Sequence, residues 1–398
     1  MKLNITIFLF FSIFRFCYSQ TGPGGVGTID GTSSLQIWLR SDDLNADGNT
    51  NNNPANNSPV NTWSDYSGNA NNFSQTGANR PTYITTGVFN AVNFNSALAA
   101  PQFMNGTILG SFTNASVYFV VNPVNTGNSH TLFDNTTQSL RVEQWRNTNR
   151  VGFTRYGIAD YRTAIVSPFT INSIFSYHKS AGQNILNVRV NAATQNLNIG
   201  SAAAGIPYNR IGRNSNGSDE ASGDFFEVLL YNNRLNSAQI IIVDNYLSAK
   251  YASIPIPVDL YDEDNSTAGN YDFDVAGIGR IDAANFHNDA QGTGIVRVLN
   301  PSNLNNNEFL LWGNDNGTLL FNNTSDIPGS ILNRLDRTWR VSEVNRAGIP
   351  VDVGSIDMRF DLTGLTNINP LFLKLLVDTD NDGFFNDETP ISGATFFR

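Results

Sequence analysis

From Leu35 onward the chain repeats one kind of unit, a short run rich in β-branched and aromatic residues closed by a cluster of Asn, Gly and Ser. LQIWLR (35–40), SVYFVV (116–121), SLRVEQW (139–145), SIFSYHK (173–179), NILNVRV (184–190) and FFEVLLY (225–231) are examples. Regularly spaced short strands with turn residues between them predict an antiparallel sandwich. One stretch breaks the pattern. In NSAQIIIVDNYLSAKYA (236–252), Asn236 and Gln239 form a capping box, and Ile240, Val243, Leu247 and Tyr251 recur at helical spacing. One short amphipathic helix closing a domain is expected there. SIPIPV follows, where Pro255 and Pro257 forbid helix and favour an extended connector. A domain spanning 21–253 and a second spanning 254–398 are therefore expected. Strand patterns resume at 309–313, 337–344, 353–362 and 371–378. The fold class is all-β: an antiparallel jelly-roll sandwich with one C-terminal helix, then a second β-sandwich-like domain.

Only 15% of the 398 residues are charged, against about 25% in ordinary soluble domains, so Asn, Ser, Thr and Gly must supply the polar surface. The net charge of −10 argues against a nucleic-acid partner, which needs a basic face to displace counterions. It suits divalent cations. The start, MKLNITIFLFFSIFRFCYSQ, has Lys2, an apolar run too short to span a bilayer, and Cys17 and Ser19 spaced for cleavage beside Gln20. Residues 1–20 read as a secretory signal, and the mature chain as secreted or displayed on the outer cell surface, without membrane insertion. Cys17 is the only cysteine, so the mature chain has no disulfide or thiolate site. The end, SGATFFR, reads as a strand starting without a partner, as in a piece of a longer chain.

LQIWLRSDD, VNTWSDYSGNANNF, RPTYI and the closing IGRNSNGSDEASGDFFEVLLYNNRLNSAQIIIVDNYLSAKY occur in order over roughly 29–251. Together they resemble the LamG-like (concanavalin A-like) jelly-roll domains of secreted Bacteroidetes proteins. VAGIGR, FLLWGNDNG, LNRLDRTWRV and LLVDTDNDGFFNDE resemble a β-rich domain of unknown function that often follows such jelly rolls in exported surface proteins. The resemblance implies adhesion or contact with an extracellular glycan or surface protein. Fold alone does not carry function.

In DTDNDGFFNDE, Asp378, Asp380 and Asp382 are spaced to turn oxygens inward around Gly383, with Glu388 as a further ligand, which suits calcium. An EF-hand would place that acid at the position of Thr389 and needs flanking helices; here LKLLVD, a strand pattern, comes first. A calcium ion is expected to pin this loop rather than switch it. DLNADG offers a weaker echo in Asp43, Asn45 and Asp47. In TWSDYSGNANN, Asp65 is expected to hold a turn with Trp63 in the core. RVEQWRNTNRVGFTRYGIADYR places Trp145, Tyr156 and Tyr161 among arginines including Arg146, a candidate platform for a sugar or an acidic glycan. Core packing would explain these aromatics equally well. Glycoside hydrolysis needs paired carboxylates in one cleft. Asp224 and Glu227, three apart on a strand, are expected on opposite faces. His130, His178 and His287 show no metal spacing, and Tyr177-His178 is expected on a half-exposed strand. The expected protein is a noncatalytic adhesion or glycan-binding one; a polysaccharide hydrolase or lyase and a structural spacer are the alternatives.

Overall fold

In the computed structural model, which describes residues 20–392 apart from 266, 268 and 367, the strand-forming runs pair into antiparallel sheets. Residues 1–19, expected from the sequence to be a secretory signal, and all of the final strand-like run except Ser392, lie outside the described residues. One eight-stranded sheet runs Ala193–Asn198, Ile185–Val190, Ser173–Lys179, Ala115–Pro123, Gly223–Tyr231, Ala91–Phe94, Thr82–Ile84, with Leu35–Arg40 also paired to Gly223–Tyr231. The second runs Ala159–Val166, Arg150–Arg155, Gln138–Glu143, His130–Asp134, Arg210–Ile211, Met104–Gly106, Phe73–Ser74, Thr62–Trp63. Alternate residues of both sheets meet between them, where Trp63, Phe73, Phe119, Phe133, Phe153 and Tyr177 are fully buried. This period-2 alternation decides which side chains remain for the outer faces.

The helix spans Ser237–Lys250, and its capping box forms as the sequence predicts. The Asn236 side chain accepts from the Ala238 and Gln239 amides, and Gln239 accepts from the Asn236 amide. Such a cap contributes about 1 kcal/mol. The helix is not amphipathic, however. Ile241, Ile242, Val243, Tyr246 and Leu247 are all buried, because the helix lies between the outer face of the first sheet and Val275, Phe309 and Leu311 of the following region. A helix covered on every side reads as apolar all round. Its inward polar groups are paired. Arg189 meets Asp244 at 2.5 Å, Ser248 donates to the Ile254 carbonyl, and the Asn245 oxygen accepts from the Leu260 and Tyr261 amides. That last pair of bonds fastens the proline-containing connector to the helix.

Beyond the connector, Phe286–His287, Phe273–Arg280, Glu308–Asn314 and Trp339–Asn345 form a four-stranded sheet, and Asp289–Ala290, Val296–Leu299 and Asp357–Phe360 a three-stranded one. Residues 371–378 do not form the expected strand. Leu375 makes a single bridge to Ile391, and Leu371 and Phe372 are exposed. Among the described residues this bridge is the run's one β-pairing. The glycine-rich start of the chain also joins this region. Gly24 bridges Ala276, and His287 bonds the Gly25 carbonyl at 2.9 Å. Gly25 has positive φ, and a Cβ there would stand 2.5 Å from that of Ala290.

The Ser173–Lys179 strand is buried on both faces rather than half-exposed. Tyr177 points into the inter-sheet core and donates to the Arg141 carbonyl at 3.0 Å. His178 points the other way, bonded to the hydroxyls of Ser116 and Ser176. All three histidines are buried, and burial lowers the pKa of each: His130 from 6.5 to about 4, with Arg141 adding to the effect, His178 well below its ordinary value, and His287 downward. Below pH 6.5 the unfolded chain therefore binds protons that the fold refuses, so stability is lost as pH falls. For His130 alone the loss between pH 6.5 and about 4 should be about 3 kcal/mol. Urea unfolding at about pH 7 and about pH 5 should show a smaller difference for His130→Gln than for the wild type. Equal differences would contradict a neutral buried His130.

Candidate functional site

On the face of the second sheet turned away from the core, a groove of about 440 Å³ is lined by Arg141, Gln144, Trp145, Tyr156, Asp160 and Asp219 among others. Leu140 and Val142 face the core, so Arg141 between them faces outward onto the floor. Its guanidinium bonds Asp219 at 2.7 Å, Thr131 at 3.1 Å and the Tyr156 hydroxyl at 3.0 Å. The same hydroxyl donates to Asp134 at 2.6 Å. Asp134 also accepts from the amide and hydroxyl of Ser215, which anchors the 213–219 loop beside the floor. Gly152 is required by close approach, since a Cβ there would stand 2.6 Å from that of Gln144. Gln144 can thus lie across the sheet to reach Thr154 and Asp160, each at 2.9 Å.

Trp145 stands at the rim. The residue is 54% exposed, its backbone has φ 66°, and its indole N–H donates to Asp160 at 2.8 Å. A bulky residue in the left-handed region is an outlier costing about 1–2 kcal/mol, and such strain clusters at functional sites. Of the four residues expected to form the platform, Trp145 and Tyr156 line the groove. Arg146 is exposed beside them without lining it. Tyr161 is turned away: Asp160 faces the groove, so its neighbour packs against the core near Phe153. Arg141, Gln144, Asp160 and Asp219 were not expected there. An arginine flanked by two core residues within one strand was the signal that could have found the floor.

Burial pushes the Tyr156 phenol and the Asp134 carboxyl upward, and both are locked in hydrogen bonds. For the phenol this is a shift away from neutral pH, and for the carboxyl a shift toward it. Asp224 and Glu227 do not lie on opposite faces. A bulge between Phe225 and Glu227 turns Phe226 and Glu227 together toward the helix, on the side where Asp224 bonds Asn93. Glu227 is buried and saturated there. Asp65 accepts from the Trp38, Ser67 and Asn71 amides and the Ser67 hydroxyl, fixing the turn to the first strand.

A second constellation lies in the C-terminal loop. Carboxylate oxygens of Asp378, Asp380 and Glu388 lie within 4.8 Å of one another, as do those of Asp380, Asp382 and Asp387. Asp378 Oδ1 is buried without a partner. Asp382 first, then Asp387 and Asp378, raise the Asp380 pKa by like-charge crowding. An oxygen-lined, charge-crowded loop has the kind of donor set that calcium takes, and Asp378, Asp380, Asp382 and Glu388 would hold the ion. The Asp43 loop has the same backbone plan but not the same crowding. Asp47 accepts from the amides of Asn45 and Asn52, at 2.9 and 2.6 Å, so an N–H donor occupies the place an oxygen ligand would need. Asp43, Asn45 and Asp47 do not assemble an oxygen cage.

The fold and site define an all-β protein with a polar groove and one exposed, strained tryptophan on the outer face of a sandwich. Residues 242–396 match the family model of a domain of unknown function, DUF8202, which begins inside the helix. No curated protein sequence matches the chain. Among solved structures, it is similar to domain 4 of AbnA, a GH43 extracellular arabinanase from Geobacillus stearothermophilus, in complex with arabinotriose. The identity is 14%, over 53% of this chain and 97% of that one, with a TM-score of 0.37. The CBM40 of Ruminococcus gnavus IT-sialidase is similar at 13% identity, over 34% and 84%, with a TM-score of 0.28. Trypanosoma rangeli sialidase in complex with sialic acid is similar at 14% identity, over 57% and 35%, with a TM-score of 0.34.

The strain at Trp145 is separable from its ring. Trp145→Gly and Trp145→Ala both remove the indole, yet only glycine accepts positive φ freely, so the glycine variant should be the more stable by about 1 kcal/mol. Urea denaturation of the two variants measures this, and equal stabilities would show that the backbone at 145 is relaxed.

Proposed function

We propose that this protein is an exported, noncatalytic glycan-binding protein, serving adhesion at the cell exterior, whose sandwich takes the ligand in the groove beside Trp145. The observation that carries this reading is the tryptophan itself. An indole that only had to fill space would be buried in relaxed backbone, whereas this ring is held outward in strained backbone by a bond to Asp160. The apolar C–H face of a sugar ring would stack on the indole. Its hydroxyls, both donors and acceptors, would meet Asp160, Asp219 and the exposed Asn216 side chain. Calcium would act elsewhere, pinning the 378–388 loop by neutralising its crowded carboxylates.

A glycan array probed with the full chain, with and without EDTA, tests both parts. Trp145→Ala should weaken binding about tenfold or more, the loss of one anchoring side chain, while EDTA should leave groove binding intact. Turnover of a bound polysaccharide would overturn the noncatalytic reading. Calcium should raise the melting temperature of the wild type by several degrees, and Asp380→Ala should abolish that rise without affecting glycan binding. A melting temperature indifferent to calcium in the wild type would remove the metal from the account.

A further inference from the structure

We infer that the groove selects uncharged glycans and rejects those carrying carboxylate or sulfate groups, an inference that rests on the groove being the glycan site. The charged residues lining it are two arginines and two aspartates, Arg141, Arg155, Asp160 and Asp219, so no net positive charge faces a ligand. Arg141 is not free to receive an anion, and Arg155 is tied at one nitrogen. Arg141 is 2% exposed, and its two terminal nitrogens are committed to Asp219, Thr131 and Tyr156. Arg155 turns its guanidinium to the Ile199 carbonyl at 3.1 Å.

The two aspartates, in contrast, retain acceptor capacity toward the groove. Asp160 is exposed, and the Asp219 side chain is 31% exposed. Each carboxylate has about four lone-pair sites. Asp160 uses three of these, on Thr154, Gln144 and Trp145. A ligand hydroxyl can donate to what remains. A ligand carboxylate would face both aspartates as like charges, and to reach Arg141 it would have to displace Asp219 from a bond of 2.7 Å. Breaking a mostly buried pair leaves an uncompensated charge, so the aspartates act against anionic ligands as well as for hydroxylated ones.

Pairs of probes that share one sugar skeleton and differ in charge test this: methyl-esterified against free oligogalacturonate, and sialyllactose methyl ester against sialyllactose, titrated calorimetrically into the full chain at low and high salt. The neutral member of at least one pair should bind at least about tenfold tighter than its charged counterpart, with little salt dependence. Asp219→Asn, which releases Arg141, should narrow or reverse that preference. Asp160→Asn, which leaves Arg141 paired, should weaken neutral binding without creating acidic binding, and this second variant keeps the test valid if the first does not fold. Salt-sensitive, Trp145-dependent binding of the charged members by the wild type would overturn the selectivity and leave the groove as the site. Failure of any probe or array glycan to bind, or binding indifferent to Trp145→Ala, would overturn the groove reading and this inference with it.

Discussion

One buried carboxylate holds the architecture together. Glu227, 0% exposed, accepts from the Trp38 indole at 2.6 Å and from the Tyr246 hydroxyl, Lys250 and the Tyr251 hydroxyl at 2.8 Å each. Its four lone-pair sites have four donors. Those donors come from the first strand and from the helix and its C-cap, so a single residue of the central Gly223–Tyr231 strand fixes both to the sheet. An unpaired charge at this depth would cost about 3–5 kcal/mol, which makes the three elements dock together or not at all. The second region then packs on the helix through Val275, Phe309 and Leu311. Burial of the helix on all sides follows from this docking, and so do the paired polar groups along it.

The groove depends on the same economy of strands. Its floor residues sit on paired strands whose alternate positions are locked in the core, which keeps Arg141 and Thr154 fixed in position. The rim is built differently. Trp145, Asn147 and Asn149 all have positive φ, so the connection after the floor strand is an irregular turn. Asparagine tolerates that conformation and tryptophan does not. Asp160, on the edge strand, holds the indole and also fixes Gln144 and Thr154, so one carboxylate couples the rim to the floor. A rigid floor with one aromatic fixed above it is preorganised, and binding then costs little side-chain ordering.

The strands were legible because short β-branched runs between Asn/Gly clusters have few other solutions. The helix cap was legible because its signal is local. Features set by long-range pairing were not. The bulge before Glu227 reverses the face of one residue, and no composition rule marks it, so the expected facing of Asp224 and Glu227 failed. Tyr161 and Tyr156 look alike as residues in the sequence, but Tyr161 belongs to the core because Asp160 beside it faces the groove; that distinction requires the register Phe153↔Tyr161. The 371–378 run has strand composition but, among the described residues, pairs only at Leu375 with Ile391. Each failure concerns pairing between distant segments rather than local preference.

The two aspartate loops show how far a motif can be trusted. In both, the first aspartate accepts from the glycine amide five residues on, Asp43 from Gly48 and Asp378 from Gly383. In both, the aspartate four places after the first accepts from the amide two residues on, and the residue ten places along accepts from the amide after the first aspartate, Asn53 from Leu44 and Glu388 from Thr379. Even the positive φ values coincide, at Ala46 and Asn381 and at the two glycines. The two backbones therefore follow one plan. The difference lies in the side chains. Asn45 and Asn52 donate to Asp47 and lower its pKa, while Asp380 is crowded by Asp382 and raised. Where amides supply the positive ends of dipoles, the loop closes on itself. Where carboxylates take those places, closure leaves like charges together, and a divalent cation is the simplest agent that removes their repulsion.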